Sequence, residues 1–190
     1  MSDVREIDVA AAARAIDDYL AVDVREPSEF EGPLGHVEGA VLHPMGEIPE
    51  ALAGIDRGRS LLLICRSGRR SRDACERLQK EGFRDATNLT GGMIAWNEAR
   101  LPVERAPVGS TRAVAEGIVT YLSQVTPASP EAVRARIAGL LEQVGSSLEA
   151  PSASALAWAL QEIADAVRAD GPPADLDLVV DAYRRDLAVL

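Results

Sequence analysis

The sequence predicts an α/β fold over residues 1–105, a small three-layer domain with a parallel central sheet, followed by an all-α helical bundle. Three observations predict it. Leu61-Leu62-Leu63-Ile64 is an apolar run that reads as a strand buried on both faces. Short strand-like segments alternate with helical ones from Arg5 to Ala99, the pattern of parallel strands joined by crossover helices. Beyond Leu101–Gly109, which contains two prolines, the apolar spacing becomes helical and stays so.

Taken in order, Arg5 to Val9 reads as a first strand leading into a helix, Ala10 to Tyr19. Ala21-Val22-Asp23-Val24-Arg25 is a strand ending in charge, and Glu26–Phe30 is a turn with one helical turn. Gly32–Ala40 is a glycine-rich loop, Val41-Leu42 a short strand, and Glu50 to Ala53 a short helix. The buried strand Leu61–Ile64 leads through a polar loop into a helix, Ser71 to Lys80, with Ala74, Cys75 and Leu78 on one face and Gly82 as its C-terminal stop. Ala86–Leu89 is the last strand, and Thr90-Gly91-Gly92 turns into a helix, Met93–Ala99. In such sheets a site lies at the carboxyl ends of the strands. Asp23, Arg25 and Cys65 all fall there.

The loop after the central strand, Cys65-Arg66-Ser67-Gly68-Arg69-Arg70-Ser71, carries the chemistry. A lone cysteine at a strand end is by itself a small core hydrophobe. Three arginines around one thiol repel one another unless an anion is present, so the loop asks for one. A helix N-terminus adds free N–H groups and positive potential, a setting that favours thiolate. Cys65 is therefore expected to be a nucleophile whose anionic product is cradled by backbone amides.

Composition bounds the rest. The chain has 190 residues and a net charge of −10, which argues against nucleic acid and against anionic membranes as partners. Lys80 is the single lysine, and the heavy use of Ala and Arg hints at a GC-rich bacterial genome. No run approaches the roughly 18 apolar residues of a membrane span, and the N-terminus lacks a signal-peptide pattern. The two cysteines form no CxxC and no zinc set, so no metal and no cofactor are expected, and the cytoplasm is the expected location.

Several separated motifs, in this order, resemble the rhodanese-like (sulfurtransferase) family. They are Val22-Asp23-Val24-Arg25-Glu26-Pro27 with Glu29-Phe30, Gly35-His36-Val37-Glu38-Gly39-Ala40, the Cys65–Ser71 loop, and Leu89-Thr90-Gly91-Gly92 with Trp96. The resemblance covers about residues 3–105. It implies that Cys65 takes a sulfane sulfur from a small anionic donor such as thiosulfate and passes it, as a persulfide, to a thiol or cyanide acceptor. It implies that Arg66 and Arg69 attract the donor, that Ser67 and Ser71 donate to the bound sulfur or cap the helix, and that Gly68 allows the tight loop. Arg70, placed just before the helix, is expected to brace the loop against Asp23 or Glu29. Asp23, Arg25 and His36 are expected as scaffold. Glu38 departs from the family pattern, which has proline there, and this affects loop rigidity rather than chemistry.

Two rival readings stand beside it. One is a rhodanese-like interaction or regulatory module acting through the helical region. An intact cysteine loop counts against it. The other is a phosphatase or arsenate reductase. The tyrosine-phosphatase loop holds one residue more between its Cys and Arg than separates Cys65 from Arg70, and Ser71 stands where that arginine would be. Cys75, on the core side of its helix, reads as packing rather than as a resolving thiol.

Residues 106–110 read as a linker and 111–190 as a helical domain of unrecognised family and unknown role. Its segments run near Thr111–Gln124, Pro130–Leu148, Ala153–Ala169 and Leu176–Ala188. Ser129-Pro130 and Ser152 are helix starts. Val133, Ile137, Leu140, Leu141 and Val144, and Leu156, Leu160, Ile163 and Val167, form apolar stripes. Asp175, Asp177 and Asp181 gather near a helix start, where negative charge is favoured. The expected roles are homodimerisation, shielding of the site, or docking of a protein partner.

Overall fold

A computed structural model of the chain describes residues 4–105 and 109–190. Residues 106–108 of the expected linker lie outside the described residues. The chain divides into two units at Arg105.

In the first unit, β1 (Arg5–Ile7), β2 (Leu20–Asp23), β3 (Val41–Leu42), β4 (Leu61–Ile64) and β5 (Ala86–Leu89) form one parallel sheet in the order β1-β5-β4-β2-β3. β4 is central because all four of its residues are apolar and 0% exposed. Its alternate side chains feed two layers. Leu61, Leu63 and Cys65 join Val22, Val24 and Ala86 in a core completed by Ala74, Cys75, Leu78 and Phe83. That core packs under α3 (Arg69–Lys80). Leu62 and Ile64 point the opposite way, the side on which α1 (Val9–Arg14) and α4 (Gly92–Glu98) meet. The three layers follow from that alternation.

Several boundaries differ from expectation for local reasons. The Asp8 side chain accepts from the Ala11 N–H, so α1 begins earlier, at Val9, and it ends at Arg14 in a 3-10 turn, Ile16–Asp18. A single turn, α2 (Pro27–Phe30), follows Glu26, whose side chain and that of Glu29 cap it reciprocally. The helix expected from Ser71 instead begins at Arg69. Gly68 turns at φ +88 and its carbonyl accepts from the Arg72 N–H at 3.3 Å, so the first turn includes Arg69, Arg70 and Ser71.

The second unit holds α5 (Thr111–Val125), α6 (Pro130–Gln143), α7 (Ala153–Ala169) and α8 (Leu176–Leu187). Sequential helices pack on one another, and α5 also packs on α7 and α8. Ser110, Ser129 and Ser152 cap α5, α6 and α7 through their hydroxyls. The core takes Val114, Ile118, Val133, Ile137, Leu141, Leu156, Leu160, Ile163, Val179 and Val180. α6 stops at Gln143, not Leu148, because Gly145 turns to φ +70. Val144, expected in the stripe, is therefore 48% exposed. Asp175 is the N-cap of α8 and is fully buried, with the Tyr121 hydroxyl donating to it at 3.1 Å. Asp177 pairs with Arg168 and Asp181 with Arg184, so the three carboxylates face separate partners. Among the described residues no helix is long and apolar enough to cross a membrane.

Candidate active site

Cys65 follows the last residue of β4 and is 1% exposed. Its Sγ accepts the Gly68 N–H at 3.2 Å and stands 3.3 Å from the Ser71 hydroxyl. Gly68 is the N-cap of α3 and Ser71 lies in its first turn. The sulfur thus sits over the N-terminus of a twelve-residue helix, where the dipole and free N–H groups favour negative charge. Ser71 does not cap α3, since Gly68 occupies that position without a side chain and the Ser71 hydroxyl turns inward to Cys65 and Asn88 instead.

The loop is clamped from outside. The Met93 and Ile94 N–H groups donate to the carbonyls of Cys65 and Arg66 at 2.9 and 3.0 Å. Those bonds turn both carbonyls towards α4. This close approach explains the glycine at the first position of α4, Gly92. A Cβ on Gly92, which sits at φ +55, would stand 2.3 Å from the Cys65 oxygen and 2.8 Å from the Arg66 carbonyl. Gly92→Ala is expected to lower stability by about 2–4 kcal/mol through strain and overlap. Gly39→Ala serves as control, because Gly39 has φ +74 but nothing within 4 Å of its Cβ position. Chemical denaturation checks this. Equal losses in the two variants would show that the contact with the Cys65 loop contributes nothing.

The arginines divide by task. Arg70 makes a two-pronged ion pair with Glu29, Nη1 to Oε2 at 2.7 Å and Nη2 to Oε1 at 2.6 Å. Burial pushes the Glu29 carboxyl up, but the hydrogen bonds and charge of Arg70 outweigh it and hold the carboxyl below its ordinary range. The same bonds raise Arg70, with the charges of Cys65 and Asp23 adding to the effect. Asp23 itself pairs with Arg25. The pair is 0% and 1% exposed, with Nη2 to Oδ2 at 2.7 Å and Nε 3.0 Å from both carboxylate oxygens. Arg25 also donates to the carbonyls of Glu29 and Gly35, tying α2 and the glycine loop to the end of β2. Arg69 and Ser67 are exposed and Arg66 is half-buried.

His36 is occupied elsewhere. Its ring stacks on Phe30 with centroids 3.6 Å apart, Nδ1 lies 3.1 Å from the Phe30 carbonyl, and Nε2 lies 3.3 Å from Glu104 Oε2. With backbone bonds in both directions between His36 and Glu104, it fastens the glycine loop to residues 102–105. Cys75 is 0% exposed, and burial pushes its thiol up to about 12. That suits a packed core thiol and not a reactive one.

Sequence reasoning passed over Asn88, and with it Glu6. Asn88 is 2% exposed, and its Oδ1 accepts the Ser71 hydroxyl at 2.6 Å. The available signal was a carboxamide in Ala86-Thr87-Asn88-Leu89, a strand whose other features predict burial.

The rhodanese-like domain family model matches residues 8–99. A sulfurtransferase of Allochromatium vinosum is 38% identical over 109 residues, covering 56% of this chain and 99% of that protein. The Bacillus subtilis protein named "Putative sulfurtransferase YtwF" is 36% identical, covering 53% of this chain and 97% of its own. Among solved structures, a rhodanese-related protein of Thermoplasma volcanium is 30% identical, with a TM-score of 0.49 over 54% of this chain and 99% of that one.

Proposed function

Because the chain belongs to the rhodanese-like domain family, we propose that it is a sulfurtransferase working through a persulfide on Cys65. One observation carries the reading. Cys65 Sγ sits at the N-terminus of α3 with the Gly68 N–H and the Ser71 hydroxyl on it. That is a site built for an anionic sulfur.

In the proposed cycle the Cys65 thiolate attacks the sulfane sulfur of thiosulfate. The new S–S bond forms as the bond to the sulfonate sulfur breaks, and sulfite leaves with that electron pair. Cyanide or a thiolate then attacks the outer sulfur, and Cys65 departs as thiolate. No redox partner, metal or cofactor is needed. The outer sulfur is large, soft and negative, so amide N–H groups of the Arg66–Ser71 loop suffice to hold it. Arg69, exposed in the first turn of α3, and Arg66 draw the dianionic donor to the loop. Arg70, with its fork filled by Glu29, fixes the loop in place. The same pairing weighs against phosphatase chemistry, which needs an open guanidinium fork for a tetrahedral phosphate.

On this reading residues 1–105 are the transferase domain, 106–110 the linker and 111–190 an accessory helical domain. The test is the intact mass of the protein after thiosulfate and then cyanide. A gain of one sulfur atom, removed by cyanide, is the expected result. The absence of any gain with thiosulfate or with a low-molecular-weight persulfide would overturn the proposal.

A further inference from the structure

Ser71 has one hydroxyl proton and two neighbours that can take it. Asn88 Oδ1 is at 2.6 Å and Cys65 Sγ is at 3.3 Å. Which neighbour receives it depends on the charge on the sulfur. A neutral thiol needs nothing from Ser71 and can itself donate, weakly, to the hydroxyl oxygen. A bare thiolate demands a donor. In a persulfide the charge moves to the outer sulfur, and Sγ again becomes a neutral divalent atom.

Asn88 cannot turn over to escape the competition. Its Nδ2 donates to Glu6 Oε1 at 3.3 Å, and Glu6 is its register partner across β1 and β5. Arg72 holds the same Glu6 oxygen at 2.6 Å. Flipping the carboxamide would set its oxygen against that carboxylate, so the network fixes the carbonyl towards Ser71. The chain Arg72, Glu6, Asn88, Ser71, Cys65 therefore runs from an exposed ion pair to the sulfur.

We propose that Asn88 is a positioning residue that captures the Ser71 proton whenever Cys65 carries no charge, and so favours the thiol and sulfur-loaded forms over the bare thiolate. When the thiolate forms, Ser71 turns to Sγ and the buried Asn88 carbonyl is left without its donor, which is the opposing cost. When sulfur is loaded, the proton returns to Asn88. The persulfide is thus held against premature loss. The inference rests on the reading of Cys65 as the sulfur-bearing nucleophile.

The other charged and titratable groups around the sulfur are Arg66 and Arg69 in its loop, Arg70 with Glu29 and Asp23 behind it, and Glu6 with Arg72 beyond Asn88. Asn88→Leu alters none of these charges and keeps nearly the same shape. The test follows the ultraviolet absorbance of thiolate against pH, taking the difference from Cys65→Ser. Cys75, pushed up to about 12, stays silent over the range. Asn88→Leu is expected to move the curve to lower pH, with about threefold more thiolate on its rising limb, the worth of one ordinary hydrogen bond. Asn88→Ala, checked for folding by circular dichroism, should act in the same direction if the leucine is not accommodated. In a Ser71→Ala background the Asn88 change should move nothing.

A shift to higher pH, no shift, or the same shift without Ser71 would overturn the proposal. At limiting thiosulfate the Asn88 variants should also carry less persulfide than the unaltered protein, read by intact mass, and equal loading would overturn it as well. If the unaltered protein gains no sulfur from any donor, the transferase reading fails, while the absorbance curves still decide whether Asn88 governs the Ser71 proton.

Discussion

Cys65→Ser is expected to gain no sulfur from thiosulfate and to lose transfer below detection, with an unfolding midpoint close to that of the unaltered protein. The chemical loss is total because the step needs a soft, polarisable anion that can form and release an S–S bond. A serine hydroxyl is scarcely ionised at neutral pH and makes no stable bond of that kind. The structural loss is small because the hydroxyl replaces a thiol of similar shape and can still accept the Gly68 N–H that now reaches Sγ at 3.2 Å. The other thiol cannot substitute. Cys75 is fully buried on the core face of α3 and pushed up to about 12, so it stays protonated and out of reach. Cys75→Ala is accordingly expected to keep full loading. Intact mass of the two variants, each followed by cyanide, makes the comparison. Sulfur on Cys65→Ser, or its absence from Cys75→Ala, would place the chemistry on the wrong cysteine.

The centre of this site was legible because its signals are local. Four apolar residues, a cysteine, one glycine and a helical stripe follow one another between Leu61 and Leu78, so strand, loop and helix could be read in a single pass. What was not legible depends on strand order and register. Glu6 and Asn88 are far apart in the chain and meet only because β1 lies beside β5 with these two residues in register. Nothing in either segment alone announces that neighbour. The start of α3 differs from the expected Ser71 for a related reason. The arginines at 69 and 70 look like loop residues by charge, but Gly68 at φ +88 lets the helix begin beneath them. Likewise apolar spacing continues to Val144 and predicts α6 past Gln143, whereas the turn at Gly145 decides the end.

The charge at the end of β2 lies inside the unit. Arg25 reads as the polar end of a strand, yet it is 1% exposed and bonded on every side. A buried guanidinium is tolerable only when its donors are filled, and here Asp23 and the carbonyls of Glu29 and Gly35 fill them. The same arginine thereby positions Glu29, whose carboxylate positions Arg70, whose helix carries the N-terminus at Cys65. Scaffold and site are one hydrogen-bonded chain in this unit.

Arg25→Met is therefore expected to destabilise the first unit strongly, by about 3–5 kcal/mol. Methionine fills much of the volume, so the loss is electrostatic. Asp23 at 0% exposure is left with no guanidinium, and the Glu29 and Gly35 carbonyls lose their donors. The unit carries its own reporter, since Trp96 is 3% exposed and donates to the Pro102 carbonyl. In a Trp158→Phe background, denaturation followed by Trp96 fluorescence reads this unit without the tryptophan of α7. Removing both charges, with Asp23→Leu beside Arg25→Met, should restore part of the loss, because no buried charge then stands alone. A double variant as unstable as the sum of the singles would show that the pair acts by shape alone. A loss below about 1 kcal/mol in Arg25→Met would show that water reaches Asp23 and that the buried pair is not what holds α2 against the sheet.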